Sequence, residues 1–341
     1  PSVEYVRIDG DFDFGNGIIY RYNDETRSSV SFYAVEDDKA ILLNANREET
    51  EYIWKDTTYH ICFDWCIYAD NIGTYAIYKE PANDTYWTAA PISGRTDIVL
   101  LTLSSGRQDE YGEHVFFFDL KTKAVIDPFA YCEIDKLGIL NTEFSPDMDR
   151  ALLATDNGET VWYCDMNKKT LMTVDDFLGK AVDGSWFVDS DTICYYIVDA
   201  NNQYTYYAMS LSTEKEHTVL QNIPMFGSHD STWGVKPSGE RFGVFVAEDQ
   251  SVYAIDFKTG TWTPIAGYTY PADKNTHTIS NRTGDKIAFV TYENGASGLG
   301  ISQIGIMDLR AQTFTLLDRK GYDARHEASV SWFDDNRIVI W

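Results

Sequence analysis

The fold is indicated most clearly by residues 144–174, which read FSPDMDRALLATDNGETVWYCDMNKKTLMTV. This stretch contains short apolar runs separated by tight polar turns that are rich in Asp, Asn, Gly and Lys. Short apolar runs bounded by turn residues are typical of β-strands joined by hairpins. The segment therefore predicts two pairs of antiparallel strands.

The same order of features recurs along the chain. Each copy has an aromatic residue, a short turn, an apolar strand, a polar loop and a second apolar strand, and the copies lie at 86–129, 144–174, 185–220, 231–265 and 278–317. The residue that ends the third strand defines the period, with separations of 46, 45, 46 and 52 residues between Asp119, Asp165, Ser210, Asp256 and Asp308. Repeats of this length predict one four-stranded antiparallel unit each.

Two further units account for the rest of the chain. Residues 30–44 together with 59–80 match the pattern as a sixth unit, and 329–341 supply two strands of a seventh. The missing strands of the seventh unit are assigned to 2–9 and 17–22, because joining the termini closes a ring and removes an exposed sheet edge. We therefore predict an all-β, seven-bladed β-propeller of four-stranded antiparallel blades, a single domain over 1–341 whose last blade is closed by strands from both termini.

Aromatic residues open the first strand in six of the seven predicted units. The aligned positions are Phe32, Trp87, Phe144, Trp186, Trp233, Ile279 and Trp332. Because the register is the same in every unit, we expect these side chains to pack between adjacent sheets and not to line a cofactor or sugar site.

The composition narrows the classes of partner. With a net charge of -25 and a pI near 4.4, the protein surface is negative at neutral pH and repels nucleic acid and anionic membrane surfaces. No apolar run approaches the roughly 18 residues that span a bilayer, so membrane insertion is not expected. The five cysteines are odd in number and scattered, which predicts reduced thiols in the core.

The motif SPDMDRALLATDNGETVWYCDM, from Ser145 to Met166, resembles the Ser-Pro-Asp-Gly repeats of TolB-like β-propellers, a family related to WD-repeat propellers. Met148 stands where that repeat has Gly. The resemblance implies a location outside the cytoplasm, and a start at Pro1 is compatible with a removed leader, whereas unpaired thiols favour the cytoplasm. The compartment is left open.

Binding residues are predicted in three long loops between second and third strands. These loops are 45–58, 104–113 and 292–303, and the contact candidates are Trp54, Lys55, Arg107, Tyr111 and Tyr292. Long loops on a rigid scaffold are the usual place for recognition. Variable loops without a binding role are the alternative.

Three histidines precede or enter first strands, at His229, His277 and His326. With Asp230 or Glu327 nearby, they could hold a divalent metal at the mouth of a channel. The surrounding segments also resemble the metal-ligand repeats of oligogalacturonate lyases, a propeller family whose histidines hold a cation for β-elimination of a polysaccharide. Asp323 stands where that family has a Gln ligand. Unligated loop histidines are the alternative.

A second possible cation site is the segment DGDFDFGNG, in which Asp9, Asp11 and Asp13 occupy alternate positions, as carboxylates do in calcium loops. Gly is absent from the sixth position of such a loop, and Tyr20 occupies the twelfth in place of Glu. The departures favour a solvated turn between two strands.

The function is less constrained than the fold. The sequence has no nucleophile elbow, no phosphate-binding loop, no zinc-type Cys pair and no HExxH motif. We therefore expect a non-catalytic, monomeric platform that binds a protein or peptide, or a glycan, without a cofactor. Tyr and Trp would anchor the partner, and the carboxylates would favour basic partners. The alternative is an extracytoplasmic, metal-assisted polysaccharide lyase or hydrolase, so whether the chain is an enzyme stays open.

Overall fold

The structure is a computed structural model of the chain. It describes residues 13–15, 18–23, 29–37, 39–54, 57–77, 85–92, 95–105, 112–132, 139–155, 160–224, 231–235, 241–246, 251–269, 275–281, 285–295, 298–311, 313–317 and 330–340. These residues belong to two compact units, one within 6–179 and one within 180–341. Each unit is a succession of antiparallel sheets.

In the unit within 6–179, the described residues form four sheets and one short helix. The first sheet has β1 (Asp13–Gly15), β2 (Ile18–Tyr22), β3 (Val30–Glu36) and β4 (Lys39–Leu42); the second has β5 (Asn46–Trp54), β6 (Thr57–Tyr68) and β7 (Asn71–Ile77); the third has β8 (Thr85–Pro91), β9 (Ile98–Ser105), β10 (Gly112–Asp119) and β11 (Val125–Ile126); the fourth has β12 (Ile139–Phe144), β13 (Arg150–Thr155), β14 (Val161–Asp165) and β15 (Thr170–Thr173), followed by α1 (Val174–Leu178).

The unit within 180–341 contains four more sheets. The first has β16 (Gly184–Phe187), β17 (Thr192–Val198), β18 (Gln203–Ser210) and β19 (Lys215–Pro224); the second has β20 (Ser231–Val235), β21 (Arg241–Val246), β22 (Ser251–Asp256) and β23 (Thr261–Thr269); the third has β24 (Asn275–Ser280), β25 (Lys286–Gly295), β26 (Gly298–Asp308) and β27 (Thr313–Leu316); the last has β28 (Val330–Trp332) and β29 (Ile338–Ile340).

The repeat predicted from the sequence matches the strands of the structure. The five residues that define the period each end the third strand of a four-stranded sheet, as the last residues of β10, β14, β18, β22 and β26. Their side chains stabilise the turn to the fourth strand. The Asp308 carboxylate, for example, accepts hydrogen bonds from the amides of Arg310 (3.0 Å) and Ala311 (2.8 Å). Backbone hydrogen bonds to Asp119 likewise lower the pKa of its carboxyl group.

The predicted blade assignment is wrong at the N-terminal end. Residues 30–44 and 59–80, expected in one blade, contribute strands to two sheets, so the described residues form eight sheets and not seven. Strand β2, expected to complete the last blade, pairs with β3, where Tyr20 lies opposite Phe32. The short link between these strands favours local pairing, and the amide of Asn23 donates to the carbonyl of Ser29 across it. Phe32 therefore lies in the third strand of its sheet.

The other predicted first-strand residues do lie in first strands: Trp87, Phe144, Trp186, Trp233, Ile279 and Trp332. The prediction that residues 2–9 complete the last blade falls outside the described residues. Ring closure and the extent of a single domain therefore stay predictions.

Aromatic side chains hold consecutive sheets together within each unit. Trp186 makes an edge contact with Phe257 in the turn after β22, with ring centroids 5.9 Å apart. The indole of Trp332 donates to the carbonyl of Ile279 at 2.8 Å, across two sheets. In the other unit, Phe63 of β6 packs edge-on against Phe118 of β10. The contacts of Trp186 and Trp332 confirm, for these two first-strand residues, the prediction that their side chains pack between adjacent sheets.

The cysteines belong to this apolar packing, as predicted. Cys62, Cys66, Cys164 and Cys194 are buried and Cys132 is half-buried, and all five are free thiols. Burial raises the pKa of the Cys66 thiol to about 11.

The turn at Ser145 explains the motif that suggested the repeat family. The Ser145 hydroxyl donates to Asp147 at 2.6 Å and accepts from the amide of Arg150 at 3.0 Å. The amide of Met148 donates to the carbonyl of Ser145, which closes the turn. Met148 has φ 64°, a left-handed backbone conformation that Gly adopts without steric cost. The Gly usual at this position is thus explained by the turn.

Candidate functional site

Two of the three predicted binding loops are in fact hairpins of long strands. Residues 46–54 form β5, which pairs with β6 along its whole length, so the loop expected at 45–58 is wrong. Residues 292–303 lie mostly in β25 and β26, which pair as far as Gly295 and Gly298. Within 104–113, the ends belong to β9 and β10, and 106–111 lie outside the described residues.

Most predicted contact residues lie outside the part of the chain that the structure describes. The backbone of Trp54 ends β5 and that of Asp13 begins β1. The residues outside the described part of the chain are Asp9, Asp11, Lys55, Arg107, Tyr111, His229, Asp230, His326 and Glu327. Their roles in binding therefore stay predictions.

The structure brings two predicted residues together. His277 of β24 and Tyr292 of β25 form an edge contact with ring centroids 5.3 Å apart. His277 is exposed, whereas Tyr292 is half-buried against the apolar cluster that contains Ile301. Burial raises the pKa of the Tyr292 hydroxyl, which keeps this group protonated and able to donate a hydrogen bond.

A cluster of tyrosines that sequence analysis missed lies in another sheet of the same unit. Like Tyr292, these residues lie near the hairpin that joins the second and third strands of their sheet. Tyr196 of β17 packs against Tyr204 and Tyr206 of β18, with centroids 5.3 and 5.5 Å apart. All three rings are half-buried. The hairpin DANNQ that joins these strands is short, so loop length gave no signal. The only sequence signal is the alternation of Tyr204 and Tyr206, which places both rings on one face of the strand.

The tyrosine cluster is built by local packing. Gly184 of β16 lies opposite Tyr196, and a Cβ at Gly184 would come within 2.5 Å of the Tyr196 ring. The absence of a side chain there lets the ring lie across β16. Burial, together with Tyr204 and Asp183, raises the pKa of the Tyr196 hydroxyl. Burial also raises the pKa of Tyr206 strongly.

Two carboxylates, Asp183 and Asp199, lie at this end of the sheet. Asp183 accepts a hydrogen bond from the amide of Val198 at 2.6 Å. Asp199 accepts from the amides of Asn201 (2.8 Å) and Gln203 (2.9 Å). Those backbone hydrogen bonds lower the pKa of Asp199, so this carboxylate is ionised at neutral pH. The site thus combines aromatic faces, which suit aliphatic, proline or cationic groups, with fixed negative charge.

The described residues give no support for a metal centre. No group of three or more His, Cys, Asp or Glu side chains within them is arranged to hold a metal ion. The two predicted cation sites, at the histidines and at Asp9, Asp11 and Asp13, fall largely outside that part of the chain and stay untested. Within the same residues, no helix has the length and apolar character needed to cross a membrane.

Comparison with known proteins found no matching family model and no match among curated proteins. Among solved structures, the chain is similar to oligogalacturonate lyase in complex with manganese (12% identity, TM-score 0.47, covering 81% of this chain and 73% of that one). It is similar to the β-propeller domain of the Trilobed protease from Pyrococcus furiosus (11%, 0.46, 95% and 88%). It is also similar to TolB from Acinetobacter baumannii (12%, 0.37, 80% and 68%). At this level of similarity, what those proteins do is not transferred to this chain.

Proposed function

We propose that the chain is a β-propeller that serves as a non-catalytic platform for a basic, extended segment of a partner protein. The propeller is supported by the succession of antiparallel sheets, most of them four-stranded, and by the aromatic contacts between consecutive sheets within each unit. In this proposal residues 2–9 complete the sheet of β28 and β29.

The tyrosine cluster of Tyr196, Tyr204 and Tyr206 is the observation that carries the proposal. Tyrosine is enriched in protein interfaces because its ring buries apolar area while its hydroxyl remains able to hydrogen-bond. The neighbouring Asp183 and Asp199 and the net charge of -25 favour a cationic partner. Lysine or arginine side chains lying over tyrosine rings would gain a cation–π contact of about 0.5–1 kcal/mol.

The direct test selects binding peptides from a random library of displayed 12-residue peptides. We expect the enriched peptides to be rich in Lys and Arg. Replacing Tyr204→Ala should weaken their binding about tenfold, the effect of losing one aromatic anchor of an interface. Tyr33→Ala, which removes a half-buried tyrosine from β3 in the other unit, is the matched control and should leave binding unchanged.

Two results would contradict the platform. The first is a selection that enriches no peptides, or one whose enriched peptides bind Tyr204→Ala and Tyr33→Ala as tightly as they bind the parent protein. The second is stoichiometric divalent metal in the purified protein that disappears in His229→Ala and His326→Ala variants, since bound metal at those histidines supports the alternative of a polysaccharide lyase or hydrolase.

A further inference from the structure

In the described part of the chain, the second sheet of the unit within 6–179 has one strand fewer than the sheets on either side of it. Its order is β5-β6-β7, whereas the sheets before and after it have four strands. Strand β5 is nine residues long and lies at the edge of this sheet. Among the described residues no strand pairs with its outer edge. An edge of this length, free of proline, presents a row of backbone groups to which another strand can be added.

The β5–β6 hairpin is held in place on both faces: on one, the amide of Val30 in the preceding sheet donates to the Asp64 carboxylate at 3.5 Å, and on the other, Tyr52 and Tyr59 contact the next sheet. Tyr52 packs against Phe116 with ring centroids 4.5 Å apart, and Tyr59 packs against Trp87 at 5.8 Å. Glu48 on the same face accepts from the indole of Trp65 at 3.3 Å. The hairpin is therefore preformed, which reduces the entropy cost of adding a strand to it.

The opposite face of β5 carries charge at alternate positions. Arg47, Glu49, Glu51 and Ile53 are exposed there. The side chains of Glu49 and Glu51 are 63% and 66% exposed, and Ile53 is 69% exposed. Arg47 lies 3.5 Å from Glu49 and donates to the thiol of Cys62, and the Glu51 carboxylate lies 3.1 Å from Nδ1 of His60, so each carboxylate has one neighbouring nitrogen within its own sheet.

We propose that β5 accepts an extended segment of a partner protein with Lys or Arg at alternate positions, which adds as a fourth strand to this sheet. Cationic side chains at alternate positions of the added strand would lie on the same face as Glu49 and Glu51, since directly opposed residues of paired strands share a face. A second copy of β5 is a poor occupant. Antiparallel self-pairing centred on Thr50 places Glu49 opposite the Glu51 of the other copy twice, and like charges directly opposite are destabilising.

The test uses a fluorescent probe peptide of sequence Lys-Thr-Lys-Val-Lys-Thr-Lys-Val with blocked ends. Its comparator carries Glu in place of every Lys. We expect the whole protein to bind the Lys peptide and not the Glu peptide. Replacing Glu49→Lys and Glu51→Lys together should weaken binding about tenfold or more, because two attractive pairs become repulsive. The double variant Asp37→Lys/Glu214→Lys makes the same change in net charge at exposed sites elsewhere and should change binding less than about twofold.

Hydrogen exchange separates strand addition from adhesion by charge alone. We expect the Lys peptide to slow exchange of amides within 46–54, since strand addition gives edge amides new hydrogen-bond partners. Equal loss of binding in the two double variants, or protection that spares 46–54, would overturn the proposal. Because Tyr204 lies in the other unit, failure here leaves the tyrosine platform standing. The Lys peptide should still protect 46–54 in Tyr204→Ala, and loss of that protection would count against β5 as the binding edge.

Discussion

Single side chains at turns explain why the repeat of third-strand ends could be recognised in the sequence. Asp256 accepts from the amides of Lys258 (2.9 Å) and Thr259 (3.2 Å), as Asp308 does in the next sheet. At the one exception to Asp in the series, the Ser210 hydroxyl accepts from the amide of Thr213 at 3.3 Å. A short side-chain oxygen that satisfies turn amides is needed at each third-strand end, so the position keeps Asp or Ser.

The strained turn at Met148 leads to a stability prediction. Met148→Gly removes the steric cost of a left-handed residue but adds chain entropy to the unfolded state, so the net gain should be about 0.5–1 kcal/mol. Thermal unfolding followed by circular dichroism should show a rise in Tm of about 1–3 °C. Asn202→Gly is the matched control, because Asn202 has φ 58° and Asn tolerates this conformation better than Met. A larger gain in the control would contradict the strain argument.

A partly buried ion pair leads to a pH prediction. Asp189, in the turn after β16, is 2.7 Å from the ammonium of Lys258, in the turn after β22 of the next sheet. Burial opposes ionisation of Asp189, but hydrogen bonds from Lys258 and the amide of Asp191 outweigh it and lower the pKa of the carboxyl group. Because the folded pKa lies below the unfolded value of about 3.9, the stabilisation is present above that pH and is lost as pH falls through the folded pKa.

Urea unfolding can measure this contribution. Lys258→Met should lower the free energy of unfolding by about 1 kcal/mol at pH 7, a value reduced for the exposure of the lysine. The loss should shrink as the pH falls below the unfolded value of about 3.9 towards the lowered folded pKa of Asp189. Lys215→Met, at an exposed position of β19, is the control and should show no such pH dependence. A loss that stays constant down to pH 3 would contradict the assignment.

At the scale of elements, the charged hairpin β5–β6 shows how strand and loop patterns can be confused. The stretch ANREETEYIWKDTT has too few apolar residues to predict a strand from its own pattern. It forms a strand hairpin because Tyr52 and Tyr59 pack against aromatic side chains of the next sheet. Strands β25 and β26 replace the loop expected at 292–303 for a similar reason, because Tyr292 packs in the apolar cluster that contains Val330 of the next sheet.

Contacts between sheets can be tested with a pair of tryptophans. The indole of Trp262 donates to the carbonyl of Val219 at 3.0 Å, which joins β23 to the preceding sheet. The indole nitrogen of Trp162 is buried and has no hydrogen-bond partner among the described residues. Both side chains are half-buried, so Trp→Phe removes similar ring area at each site.

Trp262→Phe should therefore destabilise the protein by about 1 kcal/mol more than Trp162→Phe does, the net worth of one hydrogen bond. Chemical denaturation gives both free energies of unfolding. If Trp162→Phe is as costly as Trp262→Phe, the inter-sheet hydrogen bond contributes nothing beyond ring packing.

At the scale of the whole molecule, the dominant feature is the excess of carboxylates. With 53 Asp and Glu against 28 Lys and Arg, the folded chain repels itself. Several of the cations present neutralise carboxylates at turns: Arg95 binds Asp97 at 2.7 Å, and Arg310 binds Asp285 at 3.0 Å. The remaining carboxylates repel one another over longer distances, and salt screens this repulsion.

Salt should stabilise the protein for this reason. Raising NaCl from 20 to 500 mM shortens the screening length from roughly 20 Å to about 4 Å, so self-repulsion falls more than the short ion pairs weaken. We expect Tm to rise by several degrees in scanning calorimetry. Sucrose at matched osmolality controls for exclusion of solute from the surface. A Tm that falls with NaCl would show that the ion pairs outweigh the repulsion.

The sequence by itself determined the β class, the period, the strand-ending residues and the aromatic side chains between sheets, because these depend on contacts local in the chain or repeated in every unit. Tertiary structure alone decided which strands share a sheet and whether charged stretches are strands. It also decided that Tyr196, Tyr204 and Tyr206 meet, and that β5 lies at an open edge. Those outcomes depend on the partners that distant segments provide, and the pattern of one segment does not encode its partners.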